Sequence, residues 1–189
     1  MASPLIEELK KRLASLPPAP AAAENLRRAA VLVPLFESGG EVHLLLTRRS
    51  QAVEHHKGQI AFPGGAADGD ENLRQTALRE TFEEVGLPPE RVEILGRLPD
   101  VEVVASGFRV SPFVGVIPHP YPLRPSSEEI EEIVSAPLAV FRRPANLRVE
   151  RRDRGGRRYE ILHYTYRGHD IWGATARIIR HLVDLLEGA

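Results

Sequence analysis

The chain has 189 residues, 42% of them apolar, with 25 Lys and Arg against 26 Asp and Glu and no cysteine. That length suits one domain with a sizeable core. The net charge of −1 argues against nucleic acid or an anionic membrane as partner, and the lack of cysteine excludes disulfides, thiolate catalysis and Cys-based zinc sites.

In chain order, Ser3 caps and Pro4 opens a short helix with Leu5, Ile6, Leu9 and Leu13 on one face. This N-terminus lacks the apolar stretch of a secretory signal, and no run approaches the roughly 18 residues a membrane span needs. A cytoplasmic location is the expectation. "SLPPAPAAAEN" then reads as a linker. "RRAAVLVPLF" and "VHLLLTRR" flank "ESGGE", a hairpin pattern. "QIAFPGG" is a short strand ending at Pro63, followed by a loop and a helix from about Asn72 to Val85. Gly86 suits that helix's C-terminal cap, and Pro88 and Pro89 stop it. "VEILGRLPD", "VEVVASGFRV" and "SPFVGVIP" are strand candidates. "SSEEIEEIVSAPLAVF" reads as a loop entering a short segment stopped by Pro137. "RVERRDRGGRRYEILHYTYRGHDIWG" gives two strands around a Gly-Gly turn, exposed and basic, with a third strand near Tyr164. "ATARIIRHLVDLLEG" is an amphipathic helix with Ile178, Ile179, Leu182, Leu185 and Leu186 inward. The irregular alternation predicts an α/β fold with a mixed sheet and helices packed on it.

The helix near the middle holds the chemistry. Successive helical residues turn by about 100°, so Glu80, Glu83 and Glu84 are predicted to project to one side, with Arg79 four residues before Glu83. Leu73, Ala77, Leu78 and Val85 form its expected core stripe. Crowded carboxylates without lysines suit Mg²⁺ or Mn²⁺, and a cation would relieve their repulsion. Gly64 and Gly65, just upstream, let backbone approach where side chains would intrude. The plainer reading is a solvated helix face with an Arg–Glu pair, which contributes little to stability.

The stretch Gly65, "AADGD", Glu71, "NLRQTAL", Arg79, Glu80, Thr81, Phe82, Glu83, Glu84, Val85, Gly86, Leu87 resembles the Nudix box at every fixed position. Thr81 is its one departure, standing where an aliphatic residue is usual. The resemblance implies an α/β/α sandwich that cleaves a nucleoside diphosphate linked to another moiety. It implies divalent cations held by Glu80, Glu83 and Glu84, with the Gly64 carbonyl as a further ligand. Arg79 would orient the glutamates and Glu71 would support it. On this basis residues 1–23 are a helix and proline-rich linker, and residues 24–189 the Nudix domain.

"LLTRRSQAVEHHKGQIAFPGG" resembles the signature of the Nudix subfamily that hydrolyses coenzyme A. Leu45, Leu46, Thr47, Arg49, Ser50, His56, Gly58, Gln59, Phe62, Pro63, Gly64 and Gly65 match, whereas Glu54 stands where arginine is usual. The implied products are 3′,5′-ADP and 4′-phosphopantetheine. Arg48, Arg49, His55, His56 and Lys57 make a basic rim suited to phosphates, so Arg48, Arg49, His56, Lys57, Gly58 and Gln59 are the candidate substrate contacts. For the general base the candidates are Glu83 and, from the acidic run at 128–132, Glu129. Alternatives are another diphosphate substrate such as ADP-ribose or a nucleoside triphosphate, and a non-catalytic nucleotide-binding module. The partner expected is a small nucleotide, with no nucleic acid or membrane. The apolar N-terminal helix either joins a homodimer or folds back on its own domain.

Overall fold

The computed structural model describes residues 3–17, 26–51, 57–103, 105–154 and 156–188. Helix α1 (Pro4–Ala14) is capped by the Ser3 hydroxyl, which accepts from Ile6 N. Strands β1 (Arg27–Ser38) and β2 (Glu41–Arg49) form the predicted hairpin, followed by β3 (Ile60–Ala61) and β4 (Gly64–Ala66). Helix α2 (Leu73–Val85) leads to β5 (Glu93–Arg97), β6 (Val101–Val103) and β7 (Phe108–Val116). Then come β8 (Ile130–Pro137), the short helix α3 (Leu138–Phe141), β9 (Leu147–Arg154), β10 (Arg157–Tyr166), β11 (His169–Trp172) and α4 (Gly173–Glu187).

Eight strands make one mixed sheet along β3-β2-β1-β7-β5, with β4 on β1, β6 on β7 and β8 on β2. Strands β1 and β7 run parallel, in register from Arg27↔Phe108 to Leu35↔Val116. Alternate residues of the central strands feed two apolar layers. Val33, Leu35, Leu44 and Leu46 pack with Leu182 and Ile179 of α4 in the larger core. Phe36 and Leu45 pack with Val85 and Leu87 at the end of α2. The sheet thus lies between α2 on one face and α1 with α4 on the other, the predicted sandwich. A separate antiparallel sheet, β11-β10-β9, carries the basic hairpin, on which Arg148, Arg151, Arg152, Asp153, Arg158 and Glu160 are exposed.

Two segments differ from their sequence-based expectation. The acidic run continues into β8, which pairs with β2 from Arg49↔Ile130 to His43↔Pro137. Pro137 is tolerated because β8 pairs only with β2 among the described residues and so is an edge strand. Tyr164 belongs to β10, and the third strand is β11, because the turn at Arg167 and Gly168 reverses the chain just beyond.

Helix α1 folds back on its own chain. Ile6, Leu9 and Leu13 are buried within the larger core. A Cβ at Gly96 of β5 would stand 2.7 Å from the Cβ of Leu13, so this glycine admits the helix. Lys10 Nζ meets Glu93 at 2.7 Å, and Arg12 Nη1 donates to the Leu185 carbonyl at 2.6 Å. The apolar face of α1 is therefore covered. Leu9→Ala, at a fully buried position, is expected to lower unfolding free energy by about 3 kcal/mol in urea titrations. An unchanged midpoint would mean that α1 is not docked.

Candidate active site

Helix α2 begins with the Asn72 side chain accepting from Arg74 N at 2.9 Å and ends on Gly86, left-handed at φ 69°. Its last carbonyls are taken by the chain that leads to β8. Arg124 N donates to Val85 O and Ser126 N to Glu84 O, both at 2.8 Å. The buried positions are Thr76, Ala77, Thr81, Glu84 and Val85, while Leu73 and Leu78 are only partly buried and Phe82 is 51% exposed. The expected stripe is thus corrected: three of its five buried positions, Thr76, Thr81 and Glu84, are polar. The Thr81 hydroxyl is satisfied by donating to Ala77 O at 2.6 Å, so the departure from the box costs no unpaired group.

Strand β4 lies against β1 and presents two glycines to the helix. Gly64 has φ 152°, and a Cβ there would fall 2.3 Å from the Ala30 carbonyl. A Cβ on Gly65 would fall 2.4 Å from Glu80 Oε2. Only glycine lets the carboxylates of α2 lie this close to the strand's backbone. Gly64 N donates to Glu84 Oε2 at 3.4 Å.

The three box glutamates occupy different environments. Glu84 is 3% exposed. Burial pushes its carboxyl up to about 8, against the opposing pull of Arg49 and the Gly64 N–H. Glu80 is partly buried and also raised, chiefly by burial, with Arg79 opposing. Glu83 has a side chain 56% exposed. The helical rotation that separates positions 83 and 84 by about 100° puts one outside and the other under β4. The expectation that all three share one side is corrected in that sense.

Arg79 binds them into a unit. Its Nε and Nη2 donate to the two oxygens of Glu71, both at 3.0 Å. Its Nη1 reaches Glu80 at 2.7 Å and Glu83 at 3.4 Å, and Nη2 also donates to the Ala66 carbonyl at 3.3 Å. Glu71 is held down to about 2, first by Arg79 and then by the Thr76 hydroxyl, which donates at 2.8 Å. Sequence reasoning passed over Thr76. Its five-residue spacing from Glu71 across a helix start is not a recognisable signal.

The upstream segment folds onto the same place. Arg49 Nη1 stands 3.5 Å from Glu84 Oε1, and Nη2 stands 3.7 Å from Glu129 Oε2. Arg49 N donates to Gln59 O and Gly58 N to Arg49 O, which ties Gly58 and Gln59 beside it. Ser50 N donates to Glu129 O at 2.7 Å and the Ser50 hydroxyl to Glu128 O at 3.1 Å. Ser50 therefore sets the position of Glu129; it stood in the quoted signature without an assigned role. Arg48 faces away, pairing with Glu131 at 3.2 Å and Glu132 at 3.1 Å, and Lys57 is exposed. Glu54, His55 and His56 lie outside the described residues.

Among the described residues, no three acidic or histidine side chains converge as they stand into a ready cage for an ion. Glu80 and Glu83 are turned to Arg79, and Arg49 lies between Glu84 and Glu129. The donor chemistry nonetheless fits a hard divalent cation. Two desolvated carboxylates lie on a glycine cradle, and a cation would relieve their raised affinity for protons.

The Glu84 shift sets a pH dependence for the metal-free chain. The folded state keeps the proton up to about pH 8, whereas the unfolded chain releases it near 4.5. Stability is therefore fully present below the lower value and falls by roughly 1 kcal/mol per pH unit as pH rises towards the upper one. Glu84→Gln is expected to flatten that slope in denaturant titrations with chelator between pH 5 and 8. Equal slopes in the two proteins would contradict the assignment.

The NUDIX domain model matches residues 26–154. The Nudix hydrolase NudL of Cronobacter sakazakii is 43% identical over 159 residues, covering 84% of this chain and 82% of that protein. NudL of Klebsiella pneumoniae is 41% identical over 179 residues, covering 94% and 92%. Among solved structures, RenU, a Nudix hydrolase of M. smegmatis, superposes with a TM-score of 0.51 at 25% identity over 60% of this chain and 71% of that one. A C. elegans Ap4A hydrolase shares the fold, with a TM-score of 0.51 at 24% identity over 60% of this chain and 82% of that one. Taken with the intact box on α2, these likenesses show that the chain belongs to the Nudix hydrolase family and is a pyrophosphohydrolase.

Proposed function

We propose that this enzyme hydrolyses the diphosphate of coenzyme A or its thioesters to 3′,5′-ADP and 4′-phosphopantetheine, with Mg²⁺ or Mn²⁺ as cofactor. The observation that carries this reading is the placement of Arg49. The segment resembling the coenzyme A signature brings its arginine to 3.5 Å from the buried box glutamate. The substrate-like motif and the box thus meet at one point. Coenzyme A presents a diphosphate and a separate 3′-phosphate, which suit Arg49 and the exposed Lys57.

Glu80, Glu83, Glu84 and the Gly64 carbonyl are the groups that would hold the cations. When bound, such ions neutralise the diphosphate and make water a better nucleophile. The chain's own residues supply positioning. Arg79, fixed on Glu71, fixes Glu80 and Glu83 in turn. Glu83 and Glu129, both more than half exposed, are the two carboxylates free enough of burial to take the water's proton. Water oxygen then bonds to phosphorus as the bridging P–O bond breaks, and the leaving phosphate departs against Arg49.

A panel of coenzyme A, acetyl-coenzyme A, ADP-ribose and nucleoside triphosphates with each metal tests the substrate. Release of 3′,5′-ADP at a rate well above turnover of ADP-ribose is expected. Preferential turnover of ADP-ribose or a triphosphate would refute the coenzyme A assignment. At saturating metal, the glutamine variant of the true base is expected to lose about 10²–10⁴-fold in turnover. Whichever of Glu83→Gln and Glu129→Gln keeps near-native turnover is not the base.

A further inference from the structure

Arg49 lies where a charge exchange would take place. Its guanidinium faces two carboxylates from different elements, Glu84 of α2 and Glu129 of the loop before β8. Both contacts, at 3.5 and 3.7 Å, are longer than a charge-assisted hydrogen bond of about 2.8 Å. Its Nε is buried and has no hydrogen-bond partner among the described residues. Arg79 differs: it donates to Glu71, Glu80 and Ala66 O at 2.7–3.3 Å. Arg49 is thus a partly buried positive charge with a donor unspent, loosely held between Glu84, which would hold a cation, and Glu129.

A guanidinium held against Glu84 disfavours a second cation there through Coulomb repulsion. A diphosphate, in contrast, offers oxygens that a guanidinium binds two at a time. We propose that Arg49 is an exchangeable counter-charge. In the resting enzyme it stands between Glu84 and Glu129. A diphosphate substrate draws it off, which would leave Glu84 open to hold a divalent cation. Metal and substrate then bind with positive, reciprocal coupling. Arg49 acts as a positioning residue for the cation as well as a contact for the phosphate. This rests on the diphosphate-hydrolase reading above.

The test is Mn²⁺ binding to the full, metal-free chain, with free Mn²⁺ read by electron paramagnetic resonance. It is done with and without methylenediphosphonate, a diphosphate that cannot be hydrolysed. Without the diphosphonate, Arg49→Gln is expected to bind Mn²⁺ about tenfold more tightly than wild type. Adding the diphosphonate is expected to raise Mn²⁺ affinity by a larger factor in wild type than in Arg49→Gln, a comparison that cancels direct bridging of metal by ligand. A folded Arg49→Gln with wild-type or weaker Mn²⁺ affinity overturns the proposal. Arg49→Met keeps the aliphatic stem and carries the same expectation if the glutamine variant fails to fold. Wild type that binds no Mn²⁺ under either condition overturns the metal-dependent reading itself, an outcome distinct from equal binding in both proteins.

Discussion

Glu84 holds a carboxylate at 3% exposure, with one backbone N–H at 3.4 Å and one guanidinium at 3.5 Å to compensate it. Ionising a carboxyl there is expensive and contacts of that length offset only part of the cost, so burial holds the proton on up to about pH 8 until a cation is present. The surroundings follow from this constraint. Gly64 and Gly65 are glycines because a side chain at either would occupy the space of backbone or carboxylate. The chain beyond α2 is fastened to Glu84 O and Val85 O, which brings Glu129 across from Glu84. The β2 end is fastened to Glu129 through Ser50, which brings in Arg49. A local electrostatic cost thereby selects the arrangement of three separate segments.

The two arginines of the site divide the work. Arg79 is saturated, bonded to both oxygens of Glu71 and to Glu80 at 2.7 Å. A rigid guanidinium with its donors used up orients carboxylates and does not leave them. Arg49 is held more loosely, at 3.5 and 3.7 Å from its two carboxylates, as the proposed exchange requires. Glu71, held well below the usual carboxylate range by Arg79, stays ionised at neutral pH and keeps Arg79 in place. On the proposed reading the two behaviours are complementary: Arg79 would frame the ligands of the cations, and Arg49 would be the charge that answers to phosphate.

Much of this was legible in the sequence, for physical reasons that differ by element. Asn72 and Gly86 bracket α2 as capping chemistry requires, and the glycine pair before the box marked the close backbone approach. The β1–β2 hairpin followed from its Gly-Gly turn. The β8 strand was obscured because Glu131 and Glu132 look like a solvated run until Arg48 of the neighbouring strand pairs with them. The buried stripe of α2 was misread because Thr76, Thr81 and Glu84 are polar and become tolerable inside only through tertiary partners. The docking of α1 depends on Leu13 meeting Gly96, a contact between residues far apart in the chain that no local pattern announces. The box therefore named the residues of the candidate site, while their unequal burial required the fold.

The central claim is that the two desolvated box glutamates, Glu80 and Glu84, are placed beside Gly64 to take a divalent cation. Anomalous diffraction at the manganese edge from crystals soaked in Mn²⁺ with methylenediphosphonate tests it most directly. The account predicts an anomalous peak in contact with Glu80, Glu84 and the Gly64 carbonyl, with Arg49 turned away from Glu84 towards the diphosphonate. Density showing the diphosphonate bound with no metal beside Glu80 and Glu84, and Arg49 still between Glu84 and Glu129, would contradict it.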